Sequence, residues 1–156
     1  MYDEQWMKEA VRLATENVAS GHGGPFGAVI VKDGAIIGRG CNEVTASGDP
    51  TAHAEVQAIR DACKAIGYFQ LKGCVVYTSC EPCPMCIGAI YWARPDAVYY
   101  AVTKEDAASI GFDDQFIYEQ IALPVEKRFI AMKKVDAADG MEPFDSWRTS
   151  VKKLEY

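Results

Sequence analysis

Apolar side chains recur at helical spacing near the start of the chain, at Trp6, Ala10, Leu13, Ala14 and Val18, and Gly21 follows as a stop. The period then changes. Residues 26–31 and 36–41 read as strands joined at Asp33-Gly34, a dipeptide suited to the positive φ angles of a type I′ hairpin. Ala54, Ala58, Ile59, Ala62 and Ile66 mark the inner face of a second helix, with Asp49 or Thr51 placed to cap it. Residues 75–79 form a third strand, Pro84 opens a third helix running to about Ala93, and 96–102 form a fourth strand. Short helices near 104–109 and 114–120 precede a fifth strand over 128–135. Phe144, Trp147, Val151 and Leu154 then predict a C-terminal amphipathic helix started by Pro143.

The strand–helix–strand connections are long enough for parallel crossovers. The expected fold class is therefore α/β, a three-layer α/β/α arrangement in which a mixed five-stranded sheet carries helices on both faces. No repeat, low-complexity tract or linker divides the chain, so one domain is expected over 1–156.

Two short segments interrupt this plain pattern with chemistry. His53-Ala54-Glu55 stands where the second helix begins, and Pro82-Cys83-Pro84-Met85-Cys86 stands where the third begins. Cys83 and Cys86 are three apart, so one helical turn brings both thiols to one face. With His53 they make three zinc ligands, which is the number a catalytic site uses when it keeps a fourth position open for water. Zinc held by two thiolates and an imidazole still acidifies water towards neutrality. Glu55 follows the ligand His53 by two positions and points elsewhere on a helix, free to take a proton from water and pass it to a leaving nitrogen. Helix N-termini at both motifs add positive potential that favours thiolate. Hydrolytic deamination is the reaction this set best serves.

Each half-motif also has a plainer reading. A lone His is usually a core or surface residue, and Cys-x-x-Cys alone is equally a redox pair or half of a zinc ribbon. Cys80, Cys83 and Cys86 resemble part of an iron–sulfur ligand run, but no cysteine follows Cys86 to complete one, and Cys41, Cys63 and Cys74 form no second pair. Gly38-x-Gly40 opens no helix and is not a dinucleotide fingerprint. Gly21-His22-Gly23-Gly24 lacks the Lys-Ser/Thr of a phosphate cradle and reads as a turn.

Charge and composition narrow the partners. Sixteen basic and 22 acidic residues leave a formal charge of −6, which disfavours nucleic acid. The N-terminal residues lack the basic and apolar regions of a signal peptide, and no apolar run reaches membrane-spanning length. With Cys83 and Cys86 needed as ligands, a reduced, cytoplasmic setting is expected and membrane association is not. Cys63, on the apolar side of its helix, reads as a small hydrophobe.

The His-x-Glu and Pro-Cys-x-x-Cys pair resembles the cytidine deaminase superfamily. Within it, the chain looks most like the bacterial guanine deaminases, through the segments 24–31, Thr78-Ser79-Cys80-Glu81, Tyr91-Trp92-Ala93-Arg94-Pro95, Gly111-Phe112-Asp113-Asp114 and the terminal Tyr156. The resemblance spans essentially the whole chain. It implies one zinc per chain on His53, Cys83 and Cys86, with Glu55 as proton shuttle and Asp114 as a second acid handling the exocyclic amine. It also implies purine contacts from Asn42, Ala54, Phe26 and Trp92. Similar enzymes are homodimers that exchange C-terminal segments, here about 136–156, which would bring Tyr156 over the partner's site. The implied activity is conversion of guanine to xanthine and ammonia in purine metabolism.

Taken without the resemblance, Asn42 is a turn residue, Phe26 and Trp92 are core aromatics, and Asp113-Asp114 is a solvated helix cap. A tRNA adenosine deaminase shares the zinc motif but needs a basic, stacking surface for an anticodon loop. A cytosine or cytidine deaminase is a further alternative. A zinc-stabilised interaction module is the non-enzymatic one, although a structural site has no use for Glu55 beside an open position.

Overall fold

The computed structural model describes residues 2–112 and 114–156; Asp113, of the expected Asp113-Asp114 cap, lies outside the described residues. Two compact units are distinguished, Met1–Gln115 and Phe116–Tyr156.

In the first unit, α1 (Glu4–Ala19) is capped by the Asp3 carboxylate, which accepts from the Gln5 N–H. It is followed by β1 (Gly27–Lys32), β2 (Ala35–Cys41), a short α2 (Val44–Ser47), α3 (Ala54–Ile66), β3 (Cys74–Cys80), α4 (Pro84–Ala93), β4 (Ala97–Val102) and α5 (Lys104–Ala108). The β1–β2 hairpin turns through Asp33 at φ 50° and Gly34 at φ 73°, the two positive angles a type I′ turn demands. Asp49 and Thr51 do not cap α3. They bond each other in the preceding turn, and His53 occupies the N-cap in an extended conformation with no side-chain cap bond. The imidazole is thereby left for other partners.

The sheet order is β2-β1-β3-β4, with β1 antiparallel to both neighbours and β3 parallel to β4. β2, β3 and β4 thus run in one direction, as the crossovers through α3 and α4 require. Alternate side chains of the central strands face opposite sides. Val29, Val31 and Tyr77 pack with Met7 and Ala10 of α1, while Ala28, Ile30 and Val76 pack with Ala54, Ala58 and Ala62 of α3. Gly38 and Gly40 explain the close seating of α3. A Cβ at Gly40 would stand 2.1 Å from the Ala54 carbonyl oxygen, and one at Gly38 would stand 2.5 Å from that of Ala58.

The second unit takes up all of α6 (Gln115–Ala122) but its first residue, a 3₁₀ turn (Val125–Lys127) and α7 (Glu142–Thr149). Arg128 closes the end of α6 by donating to the carbonyls of Ile121 and Leu123, and Phe129 stacks edge-on with Phe116 at 5.9 Å. Two expectations fail here. Residues 128–135 form no strand, so the sheet has four strands among the described residues rather than five; a short apolar run makes a strand only when a neighbouring backbone completes the ladder. The C-terminal helix stops at Thr149, leaving Val151 and Leu154 beyond it. Phe129, Ile130, Val135, Phe144, Val151 and Leu154 all remain exposed. Among the described residues, no helix is long and apolar enough to cross a membrane.

Candidate metal centre and active site

One end of the sheet gathers the chemistry. β2, β3 and β4 all finish there and β1 starts there, as the pairing of Gly27 with Cys41 and of Cys80 with Val102 requires. Helices α3 and α4 begin at the same end, with His53 and Cys83 as their N-cap residues. Pro84 in the first turn of α4 needs no hydrogen-bond acceptor, and Cys83 stands at the entry with its sulfur toward the Cys86 backbone N–H.

His53 Nδ1 lies 3.5 Å from Cys83 Sγ and 3.5 Å from Cys86 Sγ. The donor atoms of these three residues all fall within 4.8 Å of one another. A tetrahedral ion with Zn–S of about 2.3 Å and Zn–N of about 2.0–2.1 Å sets nitrogen and sulfur ligands about 3.5 Å apart. The donor set and its spacing therefore fit zinc. Cys80 does not join them; its thiol faces the Thr103 carbonyl at 3.6 Å, and burial lifts its pKa to about 11. The hydrogen bond from Cys86, reinforced by His53, draws the Cys83 pKa down to about 4, whereas the Cys86 thiol is pushed up by its bond to Cys83 and by burial.

Glu55 lies just behind this cluster, 6% exposed. Its Oε2 is 3.4 Å from Cys86 Sγ, and its Oε1 accepts the Thr78 hydroxyl at 3.2 Å. Burial raises its pKa, and so favours the protonated form in a group suited to returning a proton as well as taking one. Residues 1–102 match the cytidine and deoxycytidylate deaminase zinc-binding region, in which this cluster falls. The chain belongs to that family.

Among deaminases, guanine deaminase of Bacillus subtilis is 60% identical over 156 residues, covering 100% of both chains. Its solved structure has a TM-score of 0.97 and covers 100% of this chain and 99% of that one at 60% identity. The guanine deaminase structure from Nitrosomonas europaea has a TM-score of 0.69 at 32% identity, covering 72% and 65%. The tRNA-specific adenosine deaminase of Bacillus subtilis is 42% identical over 98 residues, 63% of this chain and 60% of that one.

The remaining predicted deaminase residues divide. Asn42 is buried at the end of β2, beside Phe26 at the start of β1, whose carbonyl accepts the Asn42 N–H. Asp114 is half-buried; burial raises its pKa, and it lies within electrostatic reach of His53, Cys80 and Cys83. Ala54 has its side chain wholly within the core, so only its backbone is available to a ligand. Trp92, in the last turn of α4, is 62% exposed, and Tyr156 belongs to the second unit.

Three residues near the site escaped sequence reasoning as contributors. Thr78 stands within the strand expected over 75–79 and among the residues of the resemblance, but nothing in the sequence pairs its hydroxyl with Glu55. Phe112 packs edge-on against Phe26 at 4.9 Å, and a Cβ on Gly24 would sit 3.3 Å from both rings. Asn17 is a polar side chain on the buried stripe of Met7, Ala10 and Ala14, and that breach of the apolar pattern was the signal available.

Proposed function

We propose that this chain is a zinc-dependent guanine deaminase, hydrolysing guanine to xanthine and ammonia. The observation that carries the reading is the three-donor cluster with the buried Glu55 carboxylate against it, in a chain similar to guanine deaminase along its full length. One zinc per chain, held by His53, Cys83 and Cys86, would supply the Lewis acidity that brings water's ionisation near neutral pH. Glu55 takes the proton released as the water oxygen bonds to the amino-bearing ring carbon and delivers it to the adjacent ring nitrogen. Asp114 protonates the exocyclic amine; the C–N bond then breaks and ammonia leaves, while the hydroxyl proton released as the carbonyl of xanthine forms passes through Glu55 to restore the Asp114 acid. The hydrogen bond from Thr78 keeps one Glu55 oxygen fixed, leaving the other to exchange protons.

Substrate contacts are assigned to Asn42, to the backbone at Ala54, and to the rings of Phe26, Trp92 and Tyr156. A flat purine needs apolar walls with a few polar contacts. A related solved structure holds 2,6-diaminopurine, a base close in shape to guanine.

The protein is further read as a homodimer exchanging its C-terminal segment, about 136–156, so that Tyr156 closes the partner's site. Residues 128–135 are further read as the fifth strand of a three-layer α/β/α sheet. The exposed apolar residues of the second unit support this, since such side chains gain most by burial against another surface. The thiolate ligands suit the reducing cytoplasm.

Ammonia release should be assayed with guanine, adenosine in an anticodon stem-loop, cytosine and cytidine. Guanine is expected to be turned over preferentially. Preference for the stem-loop adenosine would overturn the substrate assignment.

A further inference from the structure

We infer that Asn17 is a positioning residue for substrate binding, acting through Asn42 from the far side of the sheet's end. The inference rests on the reading that Asn42 hydrogen-bonds the purine.

Asn17 lies near the C-terminal end of α1 and is 5% exposed. Its side-chain amide donates to the Gly24 carbonyl at 2.8 Å and to the Asn42 carbonyl at 2.9 Å. Its own backbone carbonyl accepts from the His22 N–H at 3.1 Å and the Ser20 hydroxyl at 3.0 Å. One residue thus ties the end of α1, the 21–25 loop and the end of β2 together. The knot has no slack, because a Cβ on Gly23 would lie 2.1 Å from the Asn42 carbonyl oxygen and 3.0 Å from Asn17 Nδ2.

Fixing these backbones determines how the Asn42 side chain is turned. Its Oδ1 accepts from the Gly24 N–H at 3.3 Å and from the Val44 N–H at 3.4 Å. The opposite amide orientation would set the side-chain NH₂ against two N–H donors, which is repulsive. Nδ2 is therefore held away from the loop, and it makes no hydrogen bond among the described residues and is not sealed from solvent. Asn42 is presented as a donor only. Gly24 supplies the link, since its carbonyl is held by Asn17 while its N–H holds Asn42 Oδ1. Loss of Asn17 frees the Gly24 peptide and lets the Asn42 amide rotate, so the donor is no longer preset for an acceptor on the base.

A double-mutant cycle in the zinc-loaded, full-length protein tests this, with zinc content and circular dichroism confirming that each variant is folded. Asn42→Ala and Asn17→Ala should each raise KM for guanine roughly tenfold, as loss of one ordered hydrogen bond does, with kcat changed much less. The double variant should bind no worse than roughly twofold below Asn42→Ala alone, because both changes remove one interaction. Additive KM effects, or an Asn17→Ala effect confined to melting temperature, would overturn the inference. If Asn17→Ala does not fold, Asn17→Ser, which keeps one donor, takes its place and should give an intermediate KM; an unchanged KM overturns the inference equally. If Asn42→Ala itself leaves KM unchanged, the purine contact assigned to Asn42 fails and the role of Asn17 falls with it, an outcome distinct from additivity.

Discussion

Thr78 holds Glu55 in place: the hydroxyl of one buried residue donates to Oε1 of the other at 3.2 Å, across the junction of β3 and α3. Thr78→Val keeps the shape and removes the donor. A hydrogen bond to a charged group contributes ~1.5–3 kcal/mol, so kcat should fall roughly tenfold or more with KM and zinc content little changed. Thr78→Ser should restore most of the rate. Equal kcat in the Val and wild-type enzymes would show that Glu55 needs no such anchor.

Glu55 separates proton transfer from metal binding. Glu55→Gln should retain zinc and fold but lose ~10²–10⁴-fold in kcat, the usual scale of general acid–base catalysis. Asp114→Asn should also impair guanine turnover, by less. An active Glu55→Gln protein would require another proton carrier.

The ligand set is tested by elemental analysis. Purified protein should hold ~one zinc per chain, as a site with three protein ligands would. His53→Ala and Cys83→Ala should each lose metal and activity together, and chelation should lower the unfolding temperature of the wild type, since metal binding is coupled to folding. Full zinc retention in both variants would remove these residues from the site.

Gly40 connects the fold to the site. Gly40→Ala would press a methyl against the Ala54 carbonyl, beside His53 and Glu55, where the Cβ position is only 2.1 Å away. Forced movement of a packed helix costs ~1–3 kcal/mol. Urea unfolding should register that loss, and zinc affinity should weaken with it. A variant as stable as wild type would mean that α3 rides up without strain.

Deleting residues 153–156 removes Tyr156. Guanine turnover should fall while zinc and the proposed dimer persist, because a small base relies on a closed site to exclude water and supply contacts. Normal turnover by the truncated protein, with dimer measured by sedimentation, would dismiss the tail as a lid.

The sequence by itself determined the α/β class, the hairpin at Asp33-Gly34, the helix opening at Pro84, and the grouping of His53, Cys83, Cys86 and Glu55, whereas the start of α3 at His53 rather than at Asp49 or Thr51 was decided by the structure. Those features follow from local rules: the period of apolar side chains, positive-φ turn residues, and ligands set at two helix starts. Residues 128–135 show where such rules stop, since a short apolar run such as 129–132 suits a strand but a ladder needs a partner that local pattern cannot provide. The roles of Thr78 and Asn17 likewise had to come from tertiary structure. Each is a buried polar residue, and its meaning lies in what the sheet and α1 bring against it: the Glu55 carboxylate in one case, the carbonyls of Gly24 and Asn42 in the other. A buried donor must find an acceptor, but only the packing of distant segments decides which.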